Sequence, residues 1–196
     1  MPEISKAMLD ALNEQIRNEM YSSYVYLSMS AHFERANLKG FAKWMRMQSQ
    51  EEMAHAMKIF DFINYRDGHV TLLPIDQPPA SFPSHLKTFE TALEHERRVT
   101  GMINRLYALA QKESDYATQV MLHWFIKEQV EEEKNASEIV ERLRLAGNEG
   151  AGLSDGLLKL ATQTIAIPMA GKIESLNAAA ATAICLFEAV RQRIEP

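Results

Sequence analysis

Cysteine is nearly absent from this chain: Cys185 stands alone among 196 residues, so no internal disulfide can form and a disulfide-stapled secreted domain is excluded. Met1 leads into Pro2-Glu3 rather than into a basic and then apolar stretch, so no secretory leader is expected and the cytoplasm is the expected compartment. Long apolar runs are missing as well. With no run of about 18 or more such residues, no membrane-spanning helix is expected. Positive charge is in short supply, 21 Lys and Arg against 26 Asp and Glu for a formal net charge of -5. That balance argues against nucleic acid as the main partner and is compatible with attracting cations.

What is present is helical periodicity. From Ser5 to about Arg35 the residues Met8, Leu12, Ile16, Met20, Val25 and Leu27 recur mostly at helical spacing, with Ser5 available as an N-cap. The stretch Ala36-Asn37-Leu38-Lys39-Gly40 breaks the pattern, and Phe41, Trp44, Met45, Met53, Met57 and Phe60 carry a second helix to Asp67-Gly68. So short a loop makes the two helices antiparallel neighbours. Pro74, Pro78, Pro79 and Pro83 then mark an extended connection between His69 and Ser84. A helix of about 27 residues is about 40 Å long, and about 16 extended residues reach about 50 Å, enough to travel the length of a bundle. A third helix is expected from Ser84 to Glu113. A fourth, capped by Ser114-Asp115, follows to Ala146-Gly147 through Val120, Leu122, Phe125, Val130, Ile139 and Leu143. The expected fold is all-α, a four-helix bundle with one long crossover over residues 1–147, followed by a loop and a helical tail over 148–196.

The chemistry centres on Gln50-Glu51-Glu52-Met53-Ala54-His55. A spacing of three puts Glu52 and His55 on one helical face, where carboxylate and imidazole can close on one ion, and the pair suits iron, zinc or manganese better than calcium or magnesium. Alone, a Glu-x-x-His is most often part of a solvated face. The rest of the chain supplies the other half in register: Glu19 lies 33 residues before Glu52 and 36 before His55, and Glu96 lies 33 before Gln129 and 36 before Glu132. If the two hairpins pack face to face, Glu19, Glu52, His55, Glu96, Gln129 and Glu132 converge in the interior, as in di-metal carboxylate bundles. The run Glu128-Gln129-Val130-Glu131-Glu132-Glu133-Lys134 otherwise reads as a salt-bridged exposed helix. Glu128 and Glu132 share a face, where stacked like charges cost about 0.2 to 0.5 kcal/mol unless a cation neutralises them. His32, His69, His85, His95 and His123 have no partner at ligand spacing and read as structural or solvated. Tyr26, two turns after Glu19, reads equally as a core tyrosine or as a redox-active neighbour of a metal. Trp44, Trp124 and the methionines read as core packing.

Residues 1 to about 147 resemble a prokaryotic non-haem ferritin. The motifs Leu12-Asn13-Glu14-Gln15, Glu19-Met20-Tyr21-Ser22-Ser23, Gly40-Phe41-Ala42, Gln50 to His55 and Glu128 to Glu133 stand where that family has them. The resemblance implies Glu19, Glu52 and His55 on one iron, Glu52, Glu96 and Gln129 around a second, and a third iron site from Glu51, Glu128, Glu131 and Glu132. It implies that Tyr26 and Trp124 supply electrons beside this centre, that Fe(II) and O2 are the reactants, and that the chain assembles into a cage of 24 subunits. Bacterioferritins carry a second Glu-x-x-His where this chain has Gln129-Val130-Glu131-Glu132, so haem is not expected, although Met53 matches the haem-ligand position.

The tail departs from that pattern. Ile167-Pro168-Met169-Ala170-Gly171, Ser175-Leu176-Asn177, Leu186-Phe187-Glu188-Ala189 and Arg191-Gln192-Arg193 resemble the last motif of SpoU-type RNA 2′-O-methyltransferases, which lines an S-adenosylmethionine pocket. The earlier motifs of those enzymes are missing, and about 40 residues cannot build that fold alone. A fusion, or a re-used amphipathic fifth helix over Ser175 to Arg193, is the expected account. The function expected from the whole is iron storage with ferroxidase activity. Two alternatives are a di-metal oxidase or oxygenase acting on an organic substrate and a metal-free helical scaffold.

Overall fold

The computed structural model describes residues 3–146. They form four α-helices in the order α1 Lys6–Arg35, α2 Lys39–Tyr65, α3 His85–Lys112 and α4 Tyr116–Ala146. The caps that set these bounds are local chemistry. Ser5 Oγ accepts from Met8 N at 3.1 Å, Ser84 Oγ from Lys87 N at 3.1 Å, and Asp115 Oδ1 from Thr118 N at 3.2 Å. Each fills one orphan N–H of a first turn, a contribution of about 1 kcal/mol. The first three helices also end alike. Asn37, Asp67 and Ser114 each adopt a left-handed φ near 55°, directly after the C-caps Ala36, Arg66 and Glu113. The next N–H then reaches back: Leu38 N to Phe33 O at 3.0 Å, Gly68 N to Ile63 O at 2.9 Å and Asp115 N to Ala110 O at 2.9 Å, the closure that satisfies last-turn carbonyls. A Cβ at Gly68 would lie 2.8 Å from the Ile63 side chain, so any larger residue there forces its surroundings to shift.

Bonds between helices fix the register. Ser23 Oγ donates to Ser49 O at 2.7 Å and Ser30 Oγ to Ala42 O at 2.8 Å. Both pairs sum to 72, so α1 and α2 are antiparallel, and Glu19 and Glu52, one residue off that register, lie at nearly the same depth. Gln48 meets Glu132 and His55 meets Phe125, both summing to 180, so α2 and α4 are antiparallel too. The connection after α2 runs along α1. Asn13 Nδ2 donates to His69 O at 3.3 Å, Asn13 Oδ1 accepts from Thr71 N at 2.9 Å, and Ser28 Oγ donates to Pro79 O at 2.5 Å. Between Asn13 and Ser28 the helix rises about 22 Å, which the eight steps from Thr71 to Pro79 cover only when nearly extended. That is the long crossover expected from the prolines.

The core has two parts with a polar layer between them. Met8, Leu12, Ile16, Ala56, Ile59, Ile63, Ile103, Leu122 and Phe125 pack at one end. At the other, Phe33, Phe41, Trp44 and Phe89 stack with ring centroids 5.1 to 5.5 Å apart. Glu19, Glu52, Glu96 and Gln129 lie along their helices between these two clusters. Several apolar residues that mark the helical period face outward instead: Leu27, Met53, Met57, Val120 and Val130 are all exposed. The helices are apolar around more of their circumference than one core stripe requires. The compact unit spans Met1–Val140. The expected fifth helix and the methyltransferase-like segment lie outside the described residues.

Candidate metal centre

Glu19 on α1 and Glu52 and His55 on α2 each offer one ligand atom within 4.8 Å of the others. His55 Nδ1 lies 3.5 Å from Glu52 Oε2, as three-residue spacing on a helix demands. All three are buried, with Glu19 1% and Glu52 2% exposed. Gln15 Nε2 donates to Glu19 Oε1 at 2.7 Å, but Glu19 Oε2 and Glu52 Oε2 are buried without a hydrogen-bond partner. Two carboxyl groups buried this close together are costly unless a proton shared between them or a cation meets them.

The other half of the layer comes from α3 and α4. Glu96 is fully buried. The Tyr26 hydroxyl hydrogen-bonds to Glu96 Oε1, and Gln129 Nε2 donates to Glu96 Oε2 at 3.3 Å and to its carbonyl at 3.2 Å. Gln48 Nε2 donates to Glu132 Oε2 at 2.8 Å, tying α2 to α4 beside the cluster.

Electrostatics tie these groups together. Burial first, then the Glu52 charge, pushes the Glu19 carboxyl well above the usual range. Burial first, then the Glu96 charge, does the same to Glu52. Burial also raises Glu96, against the hydrogen bonds from Tyr26 and Gln129. Glu132 is pushed up to about 7 by burial, then by the charges of Glu96 and Glu51. Tyr26 is raised well above its usual value by burial and by the charges of Glu96 and Glu52, so it stays a donor. Clustered buried carboxyls all shifted upward are the signature of a place for positive charge.

The residues read from the sequence divide into two groups. Glu19, Glu52 and His55 come together directly, and Tyr26, Glu96, Gln129 and Glu132 sit in the same buried layer. Of the implied third-site residues only Glu132 is buried; Glu51 and Glu131 are exposed and Glu128 is half-buried. Trp124 corrects the core reading. It is 37% exposed, its ring 5.3 Å from that of His55 and 4.2 Å from Lys58 Nζ, so it lies between the centre and solvent. Met47, Met53 and Met57 are likewise exposed rather than core. His95 fits its structural reading: it is buried, 2.7 Å from Ser22 Oγ, and burial with the Arg98 charge holds it down to about 4, neutral near pH 7. Gln15 and Gln48 escaped notice, although the signal was available: they too are 33 residues apart and each sits one turn before a site glutamate.

The model of the ferritin-like domain matches residues 9–146. The chain belongs to the ferritin family. This ferritin chain is 45% identical over 155 residues to a bacterial non-heme ferritin of Bacteroides fragilis, covering 79% of this chain and 98% of the relative. It is 38% identical over 146 residues to one of Staphylococcus haemolyticus, covering 74% and 88%. Among solved structures, an open pore ferritin from the hyperthermophilic archaeon Archaeoglobus fulgidus superposes with a TM-score of 0.74 at 48% identity, covering 80% of this chain and 93% of that one. A Chlorobium tepidum ferritin does so with 0.74 at 34% identity, covering 80% and 94%. The domain match ends at residue 146 and supports the ferritin part of the resemblance; the methyltransferase-like tail has no such support.

Proposed function

We propose that this chain is an iron-storage subunit of the non-haem ferritin type, which binds Fe(II) in the buried carboxylate layer, oxidises it with O2 and delivers Fe(III) to a mineral held inside a cage of its own copies. The observation that carries this reading is the Glu19–Glu52–His55 cluster with two buried, unpartnered carboxylate oxygens. A metal-free scaffold would bear the cost of that burial with no return, several kcal/mol for each uncompensated ion.

In this reading Glu19, Glu52 and His55 hold one ion, and Glu52, Glu96 and Gln129 hold a second. Two ions give up one electron each, so O2 receives a pair and no one-electron-reduced oxygen species is released. The protein supplies charge and position. A carboxyl must be ionised to hold an ion, and burial shifts these carboxyls upward, so binding strengthens as pH rises. Tyr26, hydrogen-bonded to Glu96, and Trp124, packed on His55, are placed to supply further electrons. Glu51, Glu128, Glu131 and Glu132 form a third iron site, as the family resemblance implies. Residues 1–147 do this chemistry, and 148–196 act in assembly. The cage has 24 subunits, the number that the family resemblance implies, and the single cysteine supports a cytoplasmic location.

Stopped-flow oxidation of Fe(II) tests the proposal. Glu52→Ala and His55→Ala abolish the fast phase while helical content persists, because these side chains contact iron directly. A wild-type rate in either variant would remove the assignment.

A further inference from the structure

A ligand amide works only if it presents oxygen, and Gln129 can turn its nitrogen to the ion instead. Its Nε2 donates to three acceptors: Glu96 O at 3.2 Å, Glu96 Oε2 at 3.3 Å and Thr100 Oγ1 at 3.3 Å. The first is a mid-helix carbonyl that already serves the α3 ladder. The second belongs to the carboxylate proposed as a ligand of the second ion, which would be drawn to the ion when the amide most needs holding. Thr100 is the acceptor that remains.

Its hydroxyl is held in that role from the far side. A helical threonine often donates to the carbonyl one turn back; Thr100 Oγ1 instead donates to Glu133 Oε1 at 2.6 Å. An ionised carboxylate is an acceptor only, and a hydroxyl has one proton. With that proton committed to Glu133, Thr100 can only accept from Gln129, and the amide must show it the NH2 group. Glu133 is steadied in turn by Arg97 Nε at 3.8 Å.

We infer that Thr100, polarised by Glu133, is a positioning residue for the second ion: it fixes the flip of the Gln129 amide so that Oε1 is the atom left for the metal. The inference rests on the reading of Gln129 as a ligand. Thr100, Gln129 and Glu133 also line an open groove of about 350 Å³ between α3 and α4. Water can enter there, and once the hydroxyl is gone it can serve the amide in either orientation.

Calorimetric titration of the metal-free, full-length protein with zinc(II), a redox-inert probe, separates the possibilities. Thr100→Val keeps the shape and loses the hydroxyl. It is expected to leave the ion on Glu19, Glu52 and His55 at wild-type affinity and to weaken the second by about tenfold or more, the usual cost of losing an outer-shell partner. Thr100→Ser restores the second ion, and Glu133→Leu weakens it by less than Thr100→Val does. The apo melting temperature of each variant stays near wild type. Wild-type affinity for the second ion in Thr100→Val or in Glu133→Leu overturns the inference, as does equal weakening of both ions or failure of serine to rescue. Gln129→Leu in the same titration isolates the underlying reading: if it keeps the second ion at full affinity, Gln129 is not a ligand, and both the reading and the inference fail.

Discussion

Glu132 makes the metal-free protein a pH-dependent structure, in a direction opposite to that of a salt-bridged carboxylate. In the fold its carboxyl is pushed up to about 7 by burial and by the charges of Glu96 and Glu51, against about 4.3 for a glutamate in an unfolded chain. A carboxyl raised by folding binds its proton more tightly in the native state. Its stabilisation is therefore fully present below the unfolded value and is lost as pH rises toward and through 7. Integrated from pH 5 to pH 8, the loss is about 2 to 3 kcal/mol. At 6% exposed, Glu132 is little screened by solvent. Glu19, Glu52 and Glu96 are shifted in the same direction and add to the slope, while Asp115 opposes it. Burial would raise Asp115, but hydrogen bonds from Arg66 and Thr118 outweigh this and hold it low, so its contribution is lost only in acid. The assay is denaturant unfolding of chelator-treated protein from pH 5 to pH 8 at one subunit concentration, beside Glu132→Gln, which can still accept from Gln48. Wild type and variant are expected to agree near pH 5 and to diverge by about 2 to 3 kcal/mol at pH 8, the variant being the more stable. Wild-type stability that rises with pH over this range, or parallel curves for the two proteins, would refute the reasoning.

Glu131→Ala leaves the first burst of oxidation nearly intact and alters later turnovers, since the proposal gives this exposed residue to the third site only; kinetics unchanged over many additions of iron would return Glu131 to a solvated face. Deleting residues from Leu157 onward keeps Fe(II) oxidation, because every proposed ligand precedes Gly147, but changes the assembly state read by light scattering, because it removes the apolar positions Leu176, Ala183 and Phe187 that recur at helical spacing. Titration of the full chain with S-adenosylmethionine shows no heat of binding; micromolar affinity would give the tail a cofactor pocket.

The layout of the helices was legible because it rests on local signals. Ser5, Ser84 and Asp115 are caps by side-chain chemistry, the breaks at Asn37, Asp67 and Ser114 stand where the chain turns left-handed, and the prolines of the crossover cannot continue a helix. The offsets of 33 and 36 work for a related reason. Antiparallel helices joined by a short turn keep a fixed register, so equal distances from the turn mean equal depth. Rotation about each helix was less legible. Val120, Val130, Leu27 and Met57 satisfy the helical period as well as the true core residues do, yet face outward, since periodicity cannot say which of two apolar stripes is inside. Trp124 misled for the same reason. The bond from Tyr26 to Glu96 and the chain through Gln129, Thr100 and Glu133 join residues 29 to 70 positions apart through side-chain conformations that no spacing encodes. The third-site residues show the limit from the other side: Glu128, Glu131 and Glu132 are neighbours in sequence, and only Glu132 is turned inward.

In the proposed function one buried layer binds iron and oxidises it without an organic substrate. Anaerobic titration of the metal-free protein with Fe(II), followed by admission of air, tests it most directly. The account predicts two tightly bound Fe(II) per subunit and, on exposure to air, the rapid appearance of diferric absorbance with no other reactant present, both lost in Glu52→Ala. Wild-type protein that binds no Fe(II), or that binds it but turns over only when an organic substrate is added, would contradict the account.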